Sequence, residues 1–437
     1  MISARRAVGV IGSLVVLLIA GRAVLAGTIN PPAGPVAPTP GPEPRIAVNA
    51  ANTPGDADSL YRITARGSYY LTENIFGVAN KHGIEIAAGG VVLDLNGFTI
   101  TGNGIGSGNF DGITGSFSTN TSGITVRNGT VFGWGRSGVN LSVSVLTGCV
   151  IEGVHATLNS GIGISVPQDS TVSRCTASRN TGVGFFSANS TTFEACTSSE
   201  NNSGGFTANS GTIFRGCEAR SNVGNGFSAG GSGSTFESCT STGNTGQYGF
   251  DAGVACVFRS CVASQNTSPV STSAGFECQG GCVFTSCSSY NNVSTNAQAS
   301  GSTGAGFIIG IGSTITGCIA ATNEGDGIRA DDRCHILESK VNEAGFGGTG
   351  AAIRVIGDQC RVEGNHCSTS DVGFDIGGSG SFIIRNTSVN NATDYSIVAN
   401  NFYGPIIDRV ATASQGMNGP SAPGTLGSSD PNANYSR

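Results

Sequence analysis

Charge is scarce in this chain: only 11% of the residues are Asp, Glu, Lys or Arg, and the formal net charge is −6. That balance gives no basis for binding nucleic acid or an anionic membrane surface. Lysine occurs only at Lys81 and Lys340, and histidine only at 82, 155, 335 and 366. There is no HExxH pair for a metalloprotease zinc and no CxxC pair for a structural zinc. Gly226-Phe-Ser-Ala-Gly230 matches GxSxG, but Ser228 falls where neighbouring segments read GFFSAN and GFTANS, so it is a repeat position rather than a strained nucleophile. GNGIGSG (102 to 108) has no helix signal behind it and is no phosphate cradle. The glycine-rich strings at 230 to 236 and 377 to 383 lack the Asp of a calcium-binding nonapeptide. Helical periodicity is missing throughout.

What the chain has is glycine, 69 residues of it, together with 38% apolar residues, enough to build a core. It also repeats. GFFSANSTTFEACTSSEN (184 to 201) is followed 21 residues later by GFTANSGTIFRGCEARSN. A cysteine column runs through Cys175, Cys196, Cys217, Cys239, Cys261, Cys287 and Cys318, with Val154 before it and Ser339, Asn365 and Asn386 after it. Two residues earlier stands Phe, Ile or Val. Five residues later stands Asn159, Asn180, Asn201, Asn222, Asn244, Asn266, Asn292 and Asn323, resuming at Asn391. Each unit opens on Gly followed by Ile or Phe. Three short strands and three turns account for 21 residues, and coils stacked at the strand spacing of about 4.8 Å place like residues over like. Phe and Ile then fill the interior, inward Asn satisfies backbone groups at a bend, and Gly permits the corner before Phe.

Units of the form G-[IF]-x(n)-[FIV]-x-x-[CN]-x(4)-N, with GSYYLTENI (67 to 75) and GVVLDLNGFTITG (90 to 102) ahead of them, resemble the right-handed parallel β-helix proteins of the pectate-lyase-like superfamily. The resemblance implies an all-β right-handed solenoid. It implies no single reaction, because that group holds polysaccharide lyases, hydrolases, epimerases, phage tailspikes and proteins without known chemistry.

Five segments are expected. Residues 1–26 read as a secretory signal, with Arg5 and Arg6, an apolar run from Val8 to Ala20 too short for a comfortable span, and a cleavage site at Val24-Leu25-Ala26. Residues 27–45 form a Pro-rich linker, 46–83 an N-terminal cap, 84–400 the solenoid, and 401–437 a C-terminal cap and flexible tail. The expected product is an exported monomer without a stable membrane span. The fourteen cysteines, including Cys149, Cys256, Cys282, Cys334 and Cys360 in a second column plus Cys278 and Cys367, are expected to be buried free thiols used as small apolar fillers.

The candidate site lies where the repeat departs from itself. Insertions follow Asn266 (TSPVSTSA) and Asn292 (VSTNAQASGSTGA), and a third, NEAGFGGT, covers 342–349; all enter at one corner. On the strand after that corner, the outward column changes from neutral residues to Asp251, Glu277, Ile308, Arg329, Arg354 and Asp375, with Asp331 and Asp332 close by. Stacked Asp251 and Glu277 suit a cation such as Ca2+ or acid–base work. Stacked Arg329 and Arg354 call for an anion between them. The expected partner is a polysaccharide or cell-surface glycan, bound without catalysis and with no resident cofactor. The alternative is a lyase or glycoside hydrolase acting on an acidic polysaccharide. No position matches the acidic calcium ligands and basic residue of the lyases.

Overall fold

The computed structural model describes residues 45–270, 272–295, 303–346, 350–408 and 430–437. The signal and all of the linker but residue 45 lie outside them. The described residues contain strands and turns but no helix, and so no helix long and apolar enough to cross a membrane. Every strand pair in the ladders is parallel. One coil reads Thr192–Glu194, Thr197–Ser199 and Phe206–Ala208, and these begin what we call the first, second and third faces. The third face is a continuous sheet of fifteen strands. The fold is the expected three-sided parallel β-helix. Its period is not fixed: the step is 21 residues from Asn180 to Asn201, 26 from Asn266 to Asn292 and 31 from Asn292 to Asn323.

Two columns of phenyl rings fill the interior. Phe185, Phe206, Phe227, Phe250, Phe276 and Phe307 come from the third face; Phe193, Phe214, Phe236, Phe258 and Phe284 come from the first. Within a column the rings stack nearly parallel, Phe227 on Phe250 at 4.7 Å and 3°. Between columns they meet edge to face, Phe227 against Phe236 at 6.0 Å and 86°. Both geometries suit the ring quadrupole.

Each coil turns three left-handed corners, mostly without glycine. Ser190 (φ 57), Ala195 (φ 51) and Glu200 (φ 55) make those of a single coil. Left-handed backbone costs a residue with a Cβ about 1–2 kcal/mol, and the next residue supplies the compensation. Its side chain accepts a backbone N–H from the coil before: Asn180 N–H donates to Asn201 Oδ1 (3.0 Å), Val154 N–H to Cys175 Sγ (3.4 Å) and Cys149 N–H to Ser170 Oγ (3.2 Å). The asparagines also bond to one another, Asn201 Nδ2 to Asn222 Oδ1 and Asn222 Nδ2 to Asn244 Oδ1, both 2.9 Å. A shorter ladder, Asn365 to Asn386 to Asn434, continues the cysteine column.

The glycines before Phe act differently from expectation. Gly184, Gly205 and Gly226 do not have positive φ. A Cβ on Gly184 or Gly226 would stand 2.1 Å from the hydroxyl of Ser198 or Ser241. These positions are glycine because the backbone passes against the asparagine ladder, not because it turns there. The asparagines likewise follow the left-handed residue rather than occupy it.

All fourteen cysteines are buried and unpaired. Burial pushes the Cys149 thiol up to about 12 and the Cys367 thiol well up, so both are inert neutral fillers. Strands within residues 46–83 already belong to the ladders, Tyr61 pairing with Ile84 and Tyr69 with Leu93. At the other end Asn434–Ser436 is a strand that pairs with Thr387–Val389 and Ile406–Asp408, so the expectation of a flexible tail does not extend to these last residues.

Replacing Asn222 by Ala removes a buried acceptor and strands the Asn201 N–H, at a cost of about 1–3 kcal/mol per orphaned group. Phe227→Ala costs about 3–5 kcal/mol. In urea unfolding both variants are expected to shift the midpoint far more than exposed Glu200→Ala. Thiol titration of denatured, unreduced protein is expected to count all fourteen cysteines; a markedly lower count would show disulfides.

Candidate functional site

The third face carries the charged column in the expected register: Ser228 beside Asp251, Asp251 beside Glu277, Glu277 beside Ile308, Ile308 beside Arg329, Arg329 beside Arg354 and Arg354 beside Asp375. Asp251 Oδ2 accepts hydrogen bonds from Asn225 Nδ2 and Ser228 Oγ, both 3.1 Å. Glu277 holds its proton up to about 7, first because it is buried, then because the Asp251 charge and hydrogen bond oppose ionisation. The Tyr248 hydroxyl is pushed up to about 12 by burial and by the Glu277 and Asp251 charges, and it accepts from Gln247 Nε2 at 2.8 Å. Glu277 thus stands one strand from Asp251 and keeps its proton to near neutrality.

The stacked arginines do not wait for a ligand. Asp326, with a fully buried side chain, binds both: Arg354 Nε at 2.9 Å and Arg329 Nη1 at 3.4 Å. Asp375 pairs with Arg354 from above. Two guanidiniums thus meet two carboxylates, and the expected demand for an outside anion is met within the chain. Burial pushes the Asp326 carboxyl up in spite of the Ala351 N–H and Arg354 beside it.

Asp326 has counterparts. Asp111, Asn225 and Asp326 each stand two residues before the inward residue of the third face, in Asp-Gly-Ile, Asn-Gly-Phe and Asp-Gly-Ile. Each accepts the N–H of the equivalent residue one coil on: Ser137 at 2.9 Å, Tyr248 at 3.0 Å and Ala351 at 2.8 Å. The remaining side-chain atoms hold the next outward residue, Asn140 by Asp111, Asp251 by Asn225 and Arg354 by Asp326. The recurring Asx-Gly dipeptide ahead of Phe or Ile is the signal that residue-by-residue reading missed.

Glu277, Ile308, Arg329 and Asp331 line a cleft of about 140 Å³. Asp332 stands outside this set, its Oδ1 accepting the Asp358 N–H at 2.8 Å and so tying two turns together. Asp251 and Asp375 flank the cleft along the column. The first two insertions do meet at one corner, Thr267–Ser268 pairing in parallel with Val293–Ser294. A wider groove of about 720 Å³ opens at the same corner higher up, between Phe346, Asp371 and Asn390. Residues 271, 296–302 and 347–349 of the insertions lie outside the described residues. Among the described residues, carboxylate oxygens within 4.8 Å of one another occur as a trio at Asp56, Asp58 and Glu85, away from the Asp251–Glu277 pair. Arg62 pairs with two of that trio, at 3.3 Å from Asp56 and 3.1 Å from Glu85.

The Glu277 shift predicts a pH effect. The folded state keeps this proton to about 7, whereas an ordinary glutamate releases it near 4.5. Stability from this group is therefore full below the lower value and is lost as pH rises through the upper one. Glu277→Gln is expected to gain stability over wild type at pH 8 and little at pH 5, read as the difference in thermal midpoint. An equal difference at both pH values would show that Glu277 ionises normally.

Residues 111–252 match the family model described as the right handed beta helix region. No curated protein sequence matches the chain. Similar solved structures include the Azotobacter vinelandii mannuronan C-5 epimerase AlgE4 A-module, 16% identical over 78% of this chain and 91% of that one, with a TM-score of 0.45. The catalytic domain of a GH87 α-1,3-glucanase in complex with tetrasaccharides is 13% identical over 74% of this chain and 63% of that one (TM-score 0.37). Tailspike protein 3 of bacteriophage CBA120 is 13% identical over 84% and 61% respectively (TM-score 0.34). With its ladders of parallel strands and its matching repeat units, the chain folds as a right-handed parallel β-helix.

Proposed function

We propose that the third face, from Asp251 to Asp375, binds a saccharide chain at the surface of the exporting cell or outside it, and does so without cleaving the sugar. The observation that carries this reading is the cleft between Glu277 and Arg329. A protonatable carboxyl stands on one side, a guanidinium on the other, and the apolar Ile308 between them. Hydroxyl groups of a sugar both donate and accept, so they suit a carboxyl pair and a guanidinium set two strands apart. The internal balance of Arg329, Arg354, Asp326 and Asp375 favours a neutral saccharide over a polyuronate.

The same geometry supports binding over hydrolysis. Glycoside hydrolases place two carboxyls on opposite sides of the scissile bond, whereas Asp251 and Glu277 stand on adjacent strands of one sheet face. The lysines do not assist: Lys81 Nζ bonds to the Asp56 carbonyl and Lys340 stands on the second face. Ca2+ at Asp251 and Glu277 would have to displace the Glu277 proton, so any binding there should strengthen above pH 7.

Calorimetry against neutral and uronic-acid polysaccharides, with and without calcium, tests the proposal. Binding to a neutral polymer, weakened at least about fivefold by Arg329→Ala, a loss of roughly 1 kcal/mol, is the expected outcome. Unchanged affinity in Arg329→Ala and Glu277→Ala would remove the face as the site. New absorbance near 235 nm, from unsaturated uronate ends, would instead establish a lyase.

A further inference from the structure

Ten asparagines in this chain begin Asn-X-Ser/Thr with X other than Pro, the acceptor sequence for N-linked glycans, which ordinarily marks surface loops. Five of them are ladder residues: Asn201 (Asn-Asn-Ser), Asn266 (Asn-Thr-Ser), Asn292 (Asn-Val-Ser), Asn386 (Asn-Thr-Ser) and Asn434 (Asn-Tyr-Ser). Their exposures are 0, 5, 1, 0 and 0%. The coincidence follows from the coil itself, because the residues after an inward Asn start the next turn, where Ser and Thr are at home.

We infer that this chain can reach its fold only where Asn-X-Ser/Thr glycan transfer does not act on it. In that transfer the carboxamide nitrogen attacks the anomeric carbon of a lipid-linked oligosaccharide, the lipid pyrophosphate leaves, and the amide gives up one of its two protons. The ladder uses both. Asn201 Nδ2 donates to Ala177 O at 3.0 Å and to Asn222 Oδ1 at 2.9 Å. Asn266 Nδ2 donates to Ser241 O at 3.1 Å and to Asn292 Oδ1 at 3.0 Å. Asn434 Nδ2 donates to the Ile383 and Gly404 carbonyls. A glycosylated amide keeps one N–H, and its sugar has to leave an interior packed on every side by the neighbouring coils.

Transfer acts on chains that have not yet folded, so burial in the finished protein gives no protection. Asn120, Asn128 and Asn189 begin the same acceptor sequence but are exposed, so a glycan there is compatible with the fold. Export of this protein therefore belongs to a bacterial-type envelope or another route without that transferase. The inference does not depend on saccharide binding.

The full chain is expressed through a bacterial periplasmic route and through a eukaryotic secretory pathway, the latter with and without tunicamycin. Soluble, protease-resistant protein is expected from the first. From the second the yield is expected to fall several-fold or more, since destabilised chains are cleared in the cell, and to recover when transfer is blocked. Peptide mapping of the retained fraction is expected to find glycans on at least one of the five ladder asparagines. Protease-resistant protein secreted by the glycosylating host with glycans on those five would overturn the inference, and the same protein with all five bare would overturn the assignment to a route without that transferase. A retained fraction with all five bare would also overturn the inference.

Discussion

Most corners of this solenoid aim a backbone N–H at the coil that follows, and the structure depends on something being there to accept it. Strand ladders satisfy the flat parts of each turn without reference to side chains. Corners cannot, and at most of them the chain answers with Asn, Ser or Cys immediately after the left-handed residue. The acceptor always belongs to a different coil, so this bond is also what sets one turn squarely over the last. Stacked phenyl rings and thiols then follow from the register the corners impose.

This dependence explains which parts of the architecture were legible from sequence. Cysteine, asparagine and phenylalanine columns could be read because a residue that meets its own kind one coil away tends to be chosen for that meeting. The left-handed residues could not be read, since Arg174, Ala195, Glu200 and Ser221 share only a backbone conformation. The glycines before Phe were visible but misassigned. Their reason is a close approach to Ser198 and Ser241, which belong to the following coil. Asn434 was invisible for the opposite reason: it extends a ladder from Asn386, 48 residues away, and breaks the period.

The site shows the same division. Position on the third face followed from register, so Asp251 over Glu277 and Arg329 over Arg354 were accessible by counting. Their electrostatics were not, because the partner that balances the arginines enters from the corner. Asp326 joins the two levels of organisation: one oxygen closes a backbone gap and the other holds a guanidinium that faces outward. Asn225 does this for Asp251. The outward chemistry is thus positioned by the corner bonds that stabilise the spiral.

Length, by contrast, is nearly free at one vertex. Thr267–Ser268 lies in register on Val293–Ser294 although the steps around them are 26 and 31 residues, and the asparagine rungs on either side keep their spacing. Loop closure grows costlier only slowly with added residues, and here the closing points are fixed by rungs that the loop does not touch. Evolution can therefore rewrite the rim beside the third face by splicing in or trimming segments, testing new ligands while the spiral beneath is inherited unaltered.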